Sequence, residues 1–426
     1  MRLRSSAVLS VLIALSILAA ACGGTGGAAS EPITWQVWAD PEESEVYQAI
    51  IDAYVEEHPD AEVTLNAIPD RKTFLSRLSA SFASGSPPDV FLINYRHNGQ
   101  FASKGVLEPL GPRLEEADGL SADQYFDVPM EAFTWDGVLQ CIPFNQSSLV
   151  VYYNKDLFAQ HGVLLPADDW TWDDFVAAAK ALTLDTNGDG TTDIWGLGFE
   201  PSIIRAAPFI WSHGGSLLSN PDDPRSITFA SEQTREALQY FVDLNLTHHV
   251  VPNEAAYAAQ DPDSRFMDGS IAMVLNSRRA TPVFRSIEGF EWDVAPPPGD
   301  VTQASTLHSD AFCIPKDAEN MDAAWEFVEY AIGTDGQTVA AQLGRTVPSL
   351  ISVAESDAFL DPGKAPANSR IFLDLGPSLV SLPAIAEWPE IESVINEELY
   401  VAFFGAKSLD DAIRTAEEKT REILER

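Results

Sequence analysis

Apolar and polar residues alternate along Ile33-Thr34-Trp35-Gln36-Val37-Trp38, the period of a strand with one buried face. The pattern then changes. Asp40 can cap a helix, Pro41 fits its first turn, and Glu42 and Glu43 meet the positive end of the helix dipole. Val46, Ile50 and Tyr54 recur every four residues on one face, and His58-Pro59 ends the run. The cycle repeats with a strand over 62–68, a helix over 71–84 carrying Phe74, Leu75, Leu78 and Phe82, and a buried-type strand at 89–93. Strands separated by helices predict a mainly parallel, doubly wound sheet. Further on, strands at 137–142 and 149–153 flank Pro143-Phe144-Asn145-Gln146-Ser147-Ser148, and a second α/β region begins. Thr171 caps a helix opening at Trp172-Asp173-Asp174, and helical runs cover 231–244, 323–332 and 409–424. The sequence has no internal repeat of fixed period.

The N-terminus departs from this alternation. Arg2 and Arg4 precede an almost wholly apolar run over 7–21, too short to span a membrane comfortably and suited to a signal-peptide core. Ala19-Ala20-Ala21-Cys22-Gly23-Gly24 resembles a bacterial lipoprotein box, with Ala19 where Leu is usual. The expected organisation is a signal peptide over 1–21, lipidation at Cys22 and a flexible tether over 22–31; ordinary secretion is the alternative. No second apolar stretch approaches spanning length. The chain is therefore expected outside the cytoplasm, held by lipid alone to the outer face of the bacterial membrane, or periplasmic.

Charge narrows the partners. Lys and Arg total 26 against 64 Asp and Glu, a net −38, which disfavours nucleic acid and anionic lipid surfaces and suits a solvated acidic exterior. In an exported chain Cys141 and Cys313 either pair or stay as buried thiols, and spacing leaves both open. No CxxC or HExxH motif points to zinc. Asp185-x-Asn187-x-Asp189-Gly190-Thr191-x-Asp193 has the alternating oxygens and sharp-turn Gly of a calcium loop, with Gly196 where the bidentate Glu belongs. A structural Ca2+ is expected there; no cofactor for activity is.

Three stretches carry a resemblance: Asp136-Gly137-Val138-Leu139 through Pro143, Tyr153-Asn154-Lys155-Asp156-Leu157-Phe158, and Trp170-Thr171-Trp172-Asp173-Asp174-Phe175. They resemble the solute-binding proteins of carbohydrate ABC importers, the group that includes maltose-binding protein. Weaker matches, among them Gly105-Val106-Leu107-Glu108-Pro109-Leu110 and Ala324-Trp325-Glu326-Phe327, extend it across the mature chain. The resemblance implies two α/β lobes, each a mostly parallel sheet. The N-terminal lobe would take 32–142 and 308–343, the C-terminal lobe 147–303 and 348–426. Hinge crossovers fall near 143–146, 304–307 and 344–347. It implies a monomer that binds a sugar, expected to be an oligosaccharide, between the lobes and delivers it to permease subunits. The rival readings are an exported glycoside hydrolase and a sugar-binding sensor or adhesin; no nucleophile elbow, phosphate loop or assembled triad favours an enzyme.

A sugar site needs flat apolar faces and a few placed polar groups. Trp38 ends the first strand and Asp40 follows in the loop, and Tyr95 and Arg96 follow the strand ending at Ile93, both at carboxyl ends where ligands of open sheets bind. Asn145 and Ser147 sit on the crossover. The resemblance adds Trp211, before Gly214-Gly215, and Trp388 as stacking aromatics. Arg279 stands near where the family shows an aromatic after its Ala-Met strand, so an acidic or heavily hydroxylated ligand and a plain salt bridge are both in view.

Overall fold

The computed structural model of the protein describes residues 32–220 and 224–426. The expected signal peptide, Cys22 and the tether lie outside the described residues. Among these, no helix is long and apolar enough to cross a membrane.

The first strand, Ile33–Trp38, runs parallel to Val63–Ile68 on one side and to Val90–Asn94 on the other. Helices Pro41–Glu57 and Arg71–Ser84 make the two crossovers. Local chemistry sets their limits as read from the sequence. Asp40 accepts the Glu43 N–H at 2.8 Å, Asp70 accepts that of Thr73 at 2.7 Å, and Gly85 closes the second helix at φ 73°. Trp35 and Val37 are buried with Tyr47, Ile50 and Tyr54 of the first helix. Trp35 stacks on Phe312 at 5.1 Å and meets the edge of Phe327 at 5.2 Å. Two antiparallel strands complete this sheet: Asp310–Cys313 beside Val90–Asn94, then Ile142–Pro143.

The second sheet centres on Ser147–Asn154, eight residues all buried. Met273–Ser277, Trp292–Ala295 and Ser305–His308 all pair with it antiparallel; Leu379–Val380 joins in parallel beside Ser305–His308, and Gly198 makes a parallel bridge to Val274. A mainly parallel sheet was expected here. The apolar run Leu149-Val150-Val151-Tyr152-Tyr153 signals burial on both faces but carries no information about the direction of its partners, which arrive from remote segments. Helices Trp388–Phe403 and Leu409–Leu424 pack on one another and on Glu232–Leu246 at the flank of this lobe.

Two passages of chain join the sheets directly, and a third near 344–347 borders them. Phe144-Asn145-Gln146 carries the chain from Ile142–Pro143 into Ser147–Asn154, within the expected crossover. The return falls at Ser309, later than the expected 304–307, because Ser305–His308 still belongs to the second sheet. The Ser309 hydroxyl donates to the Asn145 carbonyl at 2.6 Å and ties the two passages together. The third passage runs beside them, with the Gln146 N–H on the Val347 carbonyl at 2.9 Å. Helices Ile351–Ala354 and Asp357–Leu360 then pack back on Thr334–Gln342 of the first lobe, so the chain does not leave that lobe at 348.

The strand expected over 137–142 is broken. Thr134–Trp135 and Val138–Leu139 form a small hairpin whose turn holds Asp136 at φ 50° and Gly137 at φ 75°. The Asp-Gly pair meets the positive φ that a two-residue hairpin turn requires at both positions. Beyond it, Cys141 and Cys313 form a disulfide.

Candidate functional site

The three passages leave a cavity of about 170 Å³ between the sheets. Both lobes reach it from element ends. Trp38 and Asn94 finish first-lobe strands, Arg205 lies in the first turn of Ile203–Ser212, and Asn276 and Arg279 lie at and beyond the end of Met273–Ser277. The crossovers supply Asn145, Ser147 and Asp310 at its floor. This is the placement that open α/β sheets give to ligands, at strand carboxyl ends where two halves face each other.

Charge dominates the walls. Arg279, from the second lobe, reaches Asp40 of the first at 2.7 Å, and Arg345 shares the same carboxylate oxygen at 2.8 Å while touching Glu43 at 3.0 Å. Burial raises the Asp40 carboxyl, but Arg345, the Glu43 N–H and Arg279 together hold it below the usual carboxylate range. Arg96 pairs with Glu392 across the lobes, both nearly buried. Asp310 accepts from Asn94 at 3.1 Å and Asn145 at 3.4 Å; burial outweighs these donors and raises its pKa. Burial, aided by Arg205 and Arg96, pushes His308 down to about 3, so the ring is neutral at pH 7. With Nδ1–H assigned to the Thr306 carbonyl at 3.1 Å, Nε2 is left to accept from Arg205 Nη1 at 3.4 Å.

Five of the expected residues line the cavity: Trp38, Arg96, Asn145, Ser147 and Arg279. Asp40 stands behind them as the partner of two arginines. Trp38 already has two cations against its ring, the Arg279 and Arg71 guanidinium carbons lying 5.3 and 5.8 Å from its centroid. Tyr95 is fully buried; its hydroxyl donates to the Leu307 carbonyl at 3.2 Å and accepts the Leu382 N–H at 3.0 Å, which makes it a fastener between segments. Trp211 packs partly buried against the core, outside the cavity. Trp388 is 0% exposed. It shares the inward face of its helix with Ile391, Ile395 and Leu399, a spacing that marks core, and this corrects its expected stacking role.

Arg71, Arg205, Asp310 and Glu392 were not singled out from the sequence. Arg71 opens the helix after the strand ending at Ile68, so the rule that led to Trp38 would have reached it. Arg205 and Glu392 sit inside helical runs with no local sign of the cavity.

The 185–193 loop is held by its own hydrogen bonds. Asp185 accepts the Gly188 and Gly190 N–H groups at 2.7 and 2.8 Å, Asp189 that of Thr191 at 2.7 Å, and Asp193 accepts from Thr186 and Asn187. Among the described residues no three His, Cys, Asp or Glu side chains gather as a metal-binding group.

Comparison with known proteins agrees with this architecture. Residues 38–338 match the family model described as bacterial extracellular solute-binding protein. An ABC substrate-binding protein of Listeria monocytogenes, solved in complex with cycloalternan, superposes with a TM-score of 0.83 at 25% identity, covering 92% of this chain and 98% of that one. A mannitol-binding protein of Pseudomonas aeruginosa is 24% identical over 89% of this chain and 90% of its own. A maltooligosaccharide ABC transporter solute-binding lipoprotein of Streptococcus pneumoniae is 22% identical over 99% of this chain and 97% of its own.

Proposed function

Because the chain belongs to the bacterial extracellular solute-binding protein family, we propose that it captures a carbohydrate between its lobes and hands it to an ABC-type permease. The observation that carries this reading is the interlobe cavity, walled by hydrogen-bonding side chains from both sheets and floored by the crossovers. Closure about those crossovers is a hinge motion that bound solute biases toward the shut state, and a permease can read that state. Members of the family are binding proteins, and we assign this chain binding without turnover. The relatives' ligands, mannitol, maltooligosaccharides and cycloalternan, set the range of solutes to try.

Calorimetric titration with neutral and acidic mono- and oligosaccharides and polyols, with chromatography of the recovered solute, tests the reading. Saturable one-to-one binding with the solute recovered intact is expected; cleaved product would point to a hydrolase instead. We further propose that Cys22 carries the lipid that keeps the protein at the membrane. In a bacterial host, Cys22→Ala should move the protein from the membrane fraction to the soluble one, and unaltered fractionation would remove the anchor.

A further inference from the structure

The chain carries a net −38, yet five arginines line the cavity against four acids, Glu43, Glu200, Asp310 and Glu392, with Asp40 behind them as a fifth. Three of the arginines are spoken for: Arg96 by Glu392, Arg279 by Asp40, and Arg345 by Asp40 and Glu43. Arg71 and Arg205 have no carboxylate within ion-pair distance among the described residues. Arg205 is half-buried. Its Nη2 donates to the Asn276 side-chain oxygen at 3.1 Å, its Nη1 to neutral His308, and its buried Nε has no partner. Glu200 and Asp263 act on this guanidinium through space, but neither reaches it at ion-pair distance, so its fork, which matches a carboxylate or phosphate, is left without an anion.

The same walls are poorly made for a neutral glucan. Trp38 is the one aromatic lining this cavity among the described residues, and Arg71 and Arg279 already lie against it. The volume, about 170 Å³, is close to the roughly 150 Å³ apolar cavity that accommodates a benzene ring, so it suits a single six-membered ring. A wider groove of about 590 Å³ continues outward, sharing Arg71, Glu392 and Asn396 with the inner chamber.

We propose that the solute is an acidic sugar, a ring bearing a carboxylate or phosphate, whose anion docks on Arg205 in the inner chamber while Arg71 meets it from the other lobe. Neutral units linked to that ring extend into the outer groove. This identification rests on the carbohydrate-capture reading above and adds the charge of the ligand to it.

The test titrates the full mature chain with glucose, glucuronate and glucose 6-phosphate, in low salt and in 0.3 M NaCl. At least one charged probe should bind tenfold or more tightly than glucose, with the advantage shrinking in high salt. The stronger of the two charged probes distinguishes carboxylate from phosphate. Arg205→Gln should weaken that probe at least tenfold, and Arg205→Lys, which keeps the charge but loses the fork, by less. Circular dichroism and melting temperature establish that the variants fold; if Arg205→Gln does not, Arg71→Gln and Arg205→Lys carry the test. Glucose binding as tightly as both charged probes would overturn the proposal and leave carbohydrate capture standing. So would an unaltered affinity in folded Arg205 variants. Failure of these probes and of the whole earlier sugar panel would remove both readings.

Discussion

Removing the Cys141–Cys313 disulfide by Cys141→Ala with Cys313→Ala is expected to lower the unfolding free energy of the first lobe by about 2–5 kcal/mol. The bond links positions 172 residues apart, and in the chain-entropy account a loop of that length constrains the unfolded chain by about 5 kcal/mol at most. Its location adds to the effect. Cys313 ends Asp310–Cys313, Cys141 immediately precedes Ile142–Pro143, and the register pairs Phe312 with Ile142 between those strands. The bond therefore joins the strand that leaves the first sheet for the second lobe to the strand that returns from it. Both sulfurs are fully buried, so alanine also leaves a small void. Urea unfolding followed by tryptophan fluorescence reads the change. A shift below about 1 kcal/mol would mean that the two crossovers hold each other without the covalent link.

Arg345→Met should be comparably damaging, about 3–5 kcal/mol, because it strands a buried carboxylate rather than merely deleting a contact. The Arg345 side chain is 3% exposed and that of Glu43 11%, with Nη2 to Oε2 at 3.0 Å and Asp40 sharing the cation at 2.8 Å. Burial already raises the Glu43 pKa against the pull of Arg345. A carboxyl with a folded pKa above its unfolded value contributes stability below the unfolded value, and that contribution is lost as pH rises through the folded one. Taking away Arg345 lifts the folded pKa further. The variant should then recover part of its loss on acidification from pH 7 toward pH 5, and adding Glu43→Gln should restore stability at pH 7. A Met variant as stable as the parent, with no such pH response, would show the carboxylate to be solvated by other means.

The first lobe was legible in the sequence because its elements are local. Asp40 marks a helix start through its own neighbours, and the helix limits 71–84 coincide with the observed ones; in the second lobe the same holds for the helix at 409–424. The second sheet was legible only as burial, since strand direction depends on partners more than a hundred residues away, such as Met273–Ser277 against Ser147–Asn154. The site divided in the same way. Trp38, Asn145 and Ser147 followed from their places at a strand end and a crossover, and they line the cavity. Trp388 misled because its stacking role came from the resemblance alone; Ile391, Ile395 and Leu399 at helical spacing were the available sign of a core face. Arg205 and Glu392 gave no sign, since their role comes from the meeting of two lobes and not from their flanking residues.

Two lobes that shut on a guest must become more compact when they do so. Small-angle scattering from the mature protein, alone and saturated with the tightest-binding sugar of the titrations, measures this directly. A smaller radius of gyration in the complex is predicted. Superimposable curves, for a sugar that calorimetry shows bound one to one, would contradict capture by closure between the lobes.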